Sequence, residues 1–64
     1  MSTIEVAGVP YNREESEHLR QRIIDLRNGA LEQNSFDWAV TLSHVIGWMA
    51  VMMEEKWPIS HTDE

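Results

Sequence analysis

The residue types that most often perform chemistry are few in this 64-residue chain and poorly spaced for it. The chain contains no cysteine, which removes thiol nucleophiles, disulfide bonds and thiolate zinc sites together. Its three histidines, His18, His44 and His61, are far apart in sequence and share no metal-ligand spacing. Ser43 and His44 are adjacent, and on a helix such side chains point about 100° apart, so the imidazole cannot take the serine proton. We therefore expect no enzymatic activity, no bound metal and no cofactor.

One basic stripe is present. Arg13, Arg20 and Arg27 repeat every seven residues and so line one side of a helix, which is a frequent footprint of nucleic-acid binding. The whole chain, however, has 5 Lys+Arg against 11 Asp+Glu and a formal charge of −6, which repels phosphates. We expect these arginines to pack their stems beside apolar residues and to pair with carboxylates. Nucleic-acid binding, or mimicry of nucleic acid by an acidic dimer, is an alternative.

The length bounds the architecture. A chain of 64 residues makes one domain, and folding at this size hides only about 60% of the unfolded surface. Because disulfides and thiolate metal sites are excluded, association with a second copy is the remaining way to complete a core. The first five residues lack the basic and apolar segments of a signal peptide, and the absence of cysteine suits a reducing compartment. We expect a cytoplasmic protein.

The N-terminal segment predicts one short strand. Ile4 and Val6 fall on one face of an extended segment, and Gly8 and Pro10 mark its end. A lone strand leaves its backbone groups unpaired. We therefore expect it to pair with the same strand of a second chain across a two-fold axis, with a frayed N-terminal arm as the alternative.

Two helices are predicted after the strand. Asn12 is a good N-cap and Glu15 completes a capping-box pair, so the first helix starts near Asn12. It is expected to end near Gln33, because strong helix formers follow Gly29, although Gly29 could end it earlier. Asn34-Ser35 then provides a turn and an N-cap for the second helix.

The second helix is predicted to run to Trp57, because Pro58 stops it. A short connection between helices favours an antiparallel hairpin. We place a single strand–helix–helix domain at residues 1–58 and a disordered acidic tail at residues 59–64.

The second helix carries more apolar surface than one chain can cover. At about 100° per residue, its apolar side chains take up roughly 240° of the circumference, and the first helix offers one narrow seam in return. The predicted fold is mostly α: an antiparallel two-helix hairpin preceded by one short N-terminal β-strand, assembled as an intertwined symmetric homodimer. Its dimer core is expected to contain Ile4, Val6, Leu19, Ile23, Leu26, Phe36, Leu42, Val45, Ile46, Met49 and Met53.

A few apolar residues are candidates for binding another protein. Trp48 falls within the narrow polar strip of the second helix, and an exposed tryptophan among polar groups is typical of an interface hot spot. Burial of Trp48 inside the dimer is the alternative. Methionine adapts its shape to a partner, and the first helix has a second thin apolar strip. The candidate partner-binding residues are Trp48, Met52, Ile24 and Leu31.

Insertion into a membrane is the other way in which the apolar surface of the second helix could be removed from water. Residues 38–53 contain no charged side chain. As a helix these sixteen residues span about 24 Å, short of the ~30 Å hydrocarbon core of a bilayer. A membrane-active helical protein is thus an alternative to the soluble dimer.

The layout also resembles a known family. A short strand with Ile4 and Val6, a charged helix with the Leu19-Ile23-Leu26 seam and an apolar helix from Trp38 to Trp57 resemble the small early proteins encoded between the exonuclease and excisionase genes of lambdoid temperate phages. The resemblance covers residues 4–57 and rests on layout and character. It implies an intertwined homodimer in the host cytoplasm, made early in infection. It also implies a contribution to lytic development and reduced host survival through binding of a host component, and it supplies no catalytic residue.

Overall fold

The computed structural model describes residues 2–58 and contains four elements. In chain order they are β1 (Ile4–Val6), β2 (Val9–Tyr11), α1 (Arg13–Glu32) and α2 (Phe36–Lys56). The prediction of a mostly helical chain with two long helices is confirmed. The tail predicted at residues 59–64 lies outside the described residues.

The N-terminal segment forms two strands, and the prediction of one strand was wrong. β1 and β2 pair antiparallel within the chain, with Ile4 opposite Tyr11 and Val6 opposite Val9. The backbone of β1 therefore has a partner in its own chain. Pairing with a second chain was predicted because a lone strand leaves its backbone N–H and C=O groups unpaired. The hairpin within the chain removes that reason.

The turn between the strands explains why the second strand was missed. Ala7 and Gly8 have φ values of 53° and 79°, and positive φ at both central residues is the signature of a type I′ hairpin turn. Gly8 thus connects two strands where the sequence was read as ending one. Pro10 is tolerated in β2 because each strand of a two-stranded sheet has an outer edge that needs no N–H donor.

The limits of α1 follow from its capping residues, as predicted. The Asn12 side-chain oxygen accepts a hydrogen bond from the Glu15 N–H at 2.8 Å, and the Glu15 carboxylate accepts one from the Asn12 N–H at 3.0 Å. This reciprocal pair is a capping box, and it satisfies two amide donors that the first turn leaves free. The helix continues through Gly29 to Glu32, in agreement with the longer of the two predicted ends.

The connection between the helices is short because α1 ends in a Schellman motif. Asn34 takes a φ of 60°, the left-handed conformation that asparagine tolerates. The Ser35 N–H donates to the Ala30 carbonyl at 2.8 Å, and the Asn34 N–H donates to the Leu31 carbonyl at 3.1 Å. Ser35 is the N-cap residue of α2 as predicted, but its side chain makes no capping hydrogen bond. At its other end α2 stops at Lys56, before Pro58, as predicted.

The two helices run antiparallel and share the core with β1. Arg13 in the first turn of α1 and Trp57 after the last turn of α2 line one cleft, which places them at the same end of the hairpin, the open end. The β-hairpin also packs at the open end, where Ile4 lies beside Met52. The connection at residues 33–35 forms the opposite, closed end. The buried apolar residues are Ile4, Ala30, Ala39, Leu42, Ile46 and Met49.

Candidate functional site

One side of α2 is buried against the rest of the chain, and the other side is exposed and apolar. Leu42, Ile46 and Met49 lie at spacings of four and three residues and face the core. On the same helix, Val40, Trp48 and Val51 are exposed. A helix that is apolar all round is normally buried all round, so α2 lacks part of its cover in the single chain.

A groove on this exposed side is centred on Trp48. It has a volume of about 550 Å³ and is lined by Ser43, His44, Gly47, Trp48 and Val51. We call these five residues the α2 groove. Trp48 is 70% exposed, the most exposed of the large apolar side chains in the described chain. Gly47 contributes to the groove because it has no side chain, and a Cβ at this position would meet no atom within 4 Å.

The closed end of the hairpin carries a second set of exposed apolar residues. Leu26, in the last two turns of α1, and Phe36, the first residue of α2, are 57% and 59% exposed. The β-hairpin lies at the open end and cannot cover them. The exposed apolar residues nearest the connection between the helices are called the closed-end cluster, and they are Leu26, Leu31, Phe36, Trp38 and Val40. Phe36 and Val40 share one side of α2, and Trp38 lies on the other side.

The predicted dimer-core residues divide into three groups in the single chain. Ile4, Leu42, Ile46 and Met49 are buried. Half-buried are Val6, Leu19, Ile23, Val45 and Met53. Leu26 and Phe36 are exposed in the single chain. Their place in a dimer core stays a prediction.

The four candidate partner-binding residues are not brought together. Trp48 and Leu31 are exposed, whereas Met52 and Ile24 are half-buried. Met52 lies one helical turn after Trp48 but lines a separate hollow beside β1. Of the four, Trp48 alone belongs to the groove.

Sequence reasoning missed one buried polar residue. Ser16 is fully buried, and its hydroxyl donates to the Asn12 carbonyl at 2.7 Å. The spacing could have revealed it, because Ser16 precedes Ile23 by seven residues and so extends the apolar seam of α1. It was passed over because serine is polar, whereas a hydroxyl bonded to its own helix backbone can be buried at little cost.

Arg13, Arg20 and Arg27 all lie on α1, and the first two line one cleft at the open end, beside Trp57. Arg13 also makes an exposed ion pair with Glu17 at 3.7 Å, and Arg27 donates to the Asn28 side chain at 3.2 Å. Binding of nucleic acid by these arginines stays an untested alternative. Within residues 2–58 no three acidic or histidine side chains are placed to hold a metal ion.

No protein-family model matches the chain, and no curated protein and no solved structure matches it.

Proposed function

We propose that the chain is a non-enzymatic protein-interaction module that works as a symmetric homodimer. The observation that carries this proposal is the incomplete burial of α2. Within an apolar stretch of 18 residues in this helix, 22% is buried by the rest of the chain. The shortest dimension of the chain is 15 Å, little more than the ~10–12 Å diameter of one helix with its side chains. Stable domains usually pack two layers around a core, and a second copy supplies the second layer.

The closed-end cluster is the surface assigned to self-association. Leu26 and Phe36 belong to it, and both are apolar side chains that the single chain leaves more than half exposed. An interface between two copies that share this cluster would be self-complementary, as a two-fold axis requires. Homodimer interfaces have more apolar cores than the rest of the protein surface.

The α2 groove is the surface assigned to a different protein. Trp48 is exposed beside His44 and Ser43, and tryptophan is the residue type most enriched at binding hot spots. Together with the resemblance to phage early proteins, this supports a role in lytic development in which the groove binds a component of the host cytoplasm and impairs host survival.

Sedimentation equilibrium tests the dimer, and affinity capture tests the groove. If the chain is a dimer, sedimentation equilibrium should give a mass of twice the 7.5 kDa of one chain. Capture from host extract should lose its specific protein on Trp48→Ala. It should keep that protein on Val9→Ala, which removes an exposed apolar side chain from β2. A monomer that captures nothing specific would contradict the proposal.

A membrane-associated form is the second candidate. α2 is long and apolar enough to cross a bilayer by length and composition, a property that core helices of soluble proteins share. The small buried share of this helix is the observation that favours a membrane. Flotation with liposomes separates the two candidates, because a soluble dimer stays at the bottom of the gradient.

A further inference from the structure

The α2 groove has the residue spacing of a surface that receives another helix. His44, Gly47, Trp48 and Val51 line it, and they stand at positions i, i+3, i+4 and i+7 of α2. Four residues so placed enclose one hole in knobs-into-holes packing, into which a side chain of a second helix is inserted. Gly47 has no side chain, so this part of the hole is open to the inserted residue.

A second hole lies one turn earlier on α2. It is formed by Val40, Ser43, His44 and Gly47, of which Val40 is 56% exposed. Holes one turn apart accept side chains that are three or four residues apart, which is the spacing along one face of a helix. An extended strand presents a side chain at every second residue and does not match this repeat. A helix is therefore the occupant whose side chains fit the groove.

Unpaired carboxylates lie at both ends of the exposed side of α2. Asp37 and Glu55 are eighteen residues apart (55 − 37), which is five full turns, so they share one side of the helix about 27 Å apart. Trp48 lies within about 20° of that side. Both carboxylates are exposed, and within residues 2–58 neither forms an ion pair. Lys56 points about 100° away from Glu55 and lines the hollow beside β1.

A second copy of the chain suits these charges poorly. A copy laid antiparallel over the groove and centred on Gly47 would bring its Glu55 within about one turn of Asp37, at both ends of the contact. A parallel copy would bring the two Asp37 carboxylates together. Like charges repel in either arrangement, and an anionic lipid surface is repelled in the same way. A helix with basic residues at both ends matches the holes and the carboxylates together.

We propose that the α2 groove binds a basic amphipathic helix of another protein. The apolar ridge of that helix fills the holes around Gly47, and its basic residues pair with Asp37 and Glu55. This is the helix-in-groove mode of peptide recognition. It rests on the proposed function, in which the groove contacts a different protein, and it specifies the chemical class of the segment that is bound.

Fluorescence anisotropy of a labelled peptide tests this binding mode on the full chain. The probe is an alanine- and glutamine-based helix of about 22 residues, or about 33 Å, with leucines spaced four and three apart and lysines at both ends. The expected result is saturable, salt-sensitive binding that weakens at least roughly tenfold when glutamates replace the lysines. Equal binding of the basic and acidic peptides, or no binding of either, would overturn the proposal.

Matched pairs of variants show whether the charges act at the groove. Asp37→Asn with Glu55→Gln should weaken binding of the basic peptide roughly threefold to tenfold, because two exposed ion pairs are lost. Glu14→Gln with Glu32→Gln is the control, since these exposed carboxylates are also eighteen residues apart (32 − 14) but lie on α1. The control should leave binding within about twofold. Equal weakening by the two pairs would mean general attraction to an acidic chain and would contradict the proposal.

Two controls on the probe test the nature of the occupant. Prolines in place of two central leucines prevent a helix and should weaken binding at least roughly tenfold. A proline peptide that binds as tightly as its parent would exclude a helical occupant. Phosphatidylcholine vesicles should leave the peptide bound, and vesicles that displace it would show that lipid covers the groove instead.

Trp48→Ala separates this binding mode from the proposed function. It should weaken binding of the basic peptide at least roughly tenfold, because it removes the largest side chain of the groove. If capture of a host protein depends on Trp48 but is unchanged by the Asp37 and Glu55 substitutions, the groove binds a partner that is not a basic helix. If the peptide binds as expected but host extract yields no specific protein, the preference for a basic helix stands and the proposed function fails.

Discussion

Trp48 and Met49 are neighbours on α2 with opposite surroundings: Trp48 is 70% exposed, and Met49 is fully enclosed at 0% exposure. The difference arises because consecutive residues on a helix point about 100° apart, which carries one side chain into the core and the other into the α2 groove. The two positions therefore separate folding from binding. Substitutions at Met49 report on stability, and substitutions at Trp48 report on the groove.

Met49→Ala should lower the free energy of unfolding by about 2–5 kcal/mol, because it leaves a cavity at the centre of the core. Met52→Ala, at a half-buried position on the same helix, is the control and should lower it by clearly less. Urea unfolding followed by circular dichroism measures both, at one fixed protein concentration because dimer stability depends on concentration. Equal losses at the two positions would mean that Met49 is not the centre of the core.

Phe36→Glu should shift the chain toward monomer without unfolding it. Phe36 is 59% exposed in the closed-end cluster, so a charge there opposes burial by a second copy. The helix itself should tolerate the change, since a carboxylate in the first turn interacts favourably with the helix dipole.

Thr41→Glu is the matched control for this association. Thr41 is exposed on the same helix and lies outside the closed-end cluster. Its replacement by glutamate adds the same charge as Phe36→Glu. Sedimentation equilibrium of both variants beside the parent chain gives the comparison. If Phe36→Glu associates as strongly as Thr41→Glu, the closed-end cluster is not the dimer interface.

Asn12→Ala and Ser35→Ala should differ although both remove an N-cap side chain. Asn12 makes its capping hydrogen bond at 2.8 Å, so its loss should lower the free energy of unfolding by about 1 kcal/mol. Ser35 makes no capping bond, and its replacement should change stability by a few tenths of a kcal/mol at most, roughly the size of ordinary surface substitutions. Thermal and urea unfolding measure the pair; similar losses would show that Ser35 caps α2 in solution.

Local signals in the sequence predicted the helices well. Asn12 with Glu15 marked the start of α1, and Pro58 marked the end of α2, because both signals act through backbone chemistry within one turn. The second strand was missed because Gly8 ends a strand in most contexts. Here Gly8 supplies the positive φ of a hairpin turn, and the chain continues into β2. Its role depends on the pairing of β1 with β2, which no single position reveals.

The candidate sites were less predictable than the elements. Trp48 could be selected from its type and its place in a polar strip, but its exposure depends on where α1 and the β-hairpin pack. The cleft at the open end requires the antiparallel return of α2, which brings Arg20 to Trp57 across thirty-seven positions of sequence (57 − 20). Periodicity identifies which residues share a helix face, and it cannot identify what lies opposite that face.

Gly47→Ala and Gly29→Ala give a final test of what occupies the α2 groove. Both glycines lie inside helices, and an added Cβ would meet no atom within 4 Å at either position. Each substitution should therefore stabilise the isolated chain by about 0.5–1 kcal/mol, the usual gain of alanine over glycine in a helix. Gly29 is the control, because it lies on α1 outside the groove.

The two variants should then diverge when the partner is bound. If a protein packs closely against Gly47, the added methyl group displaces it, and Gly47→Ala should weaken capture of the groove partner while Gly29→Ala leaves capture unchanged. Unfolding experiments on the free chain and capture by the same two variants provide both halves of the comparison. If the Gly47→Ala variant binds as well as the parent chain, the partner lies elsewhere on the surface. At native packing density, a methyl group added in the middle of an occupied groove would clash with the partner and weaken binding.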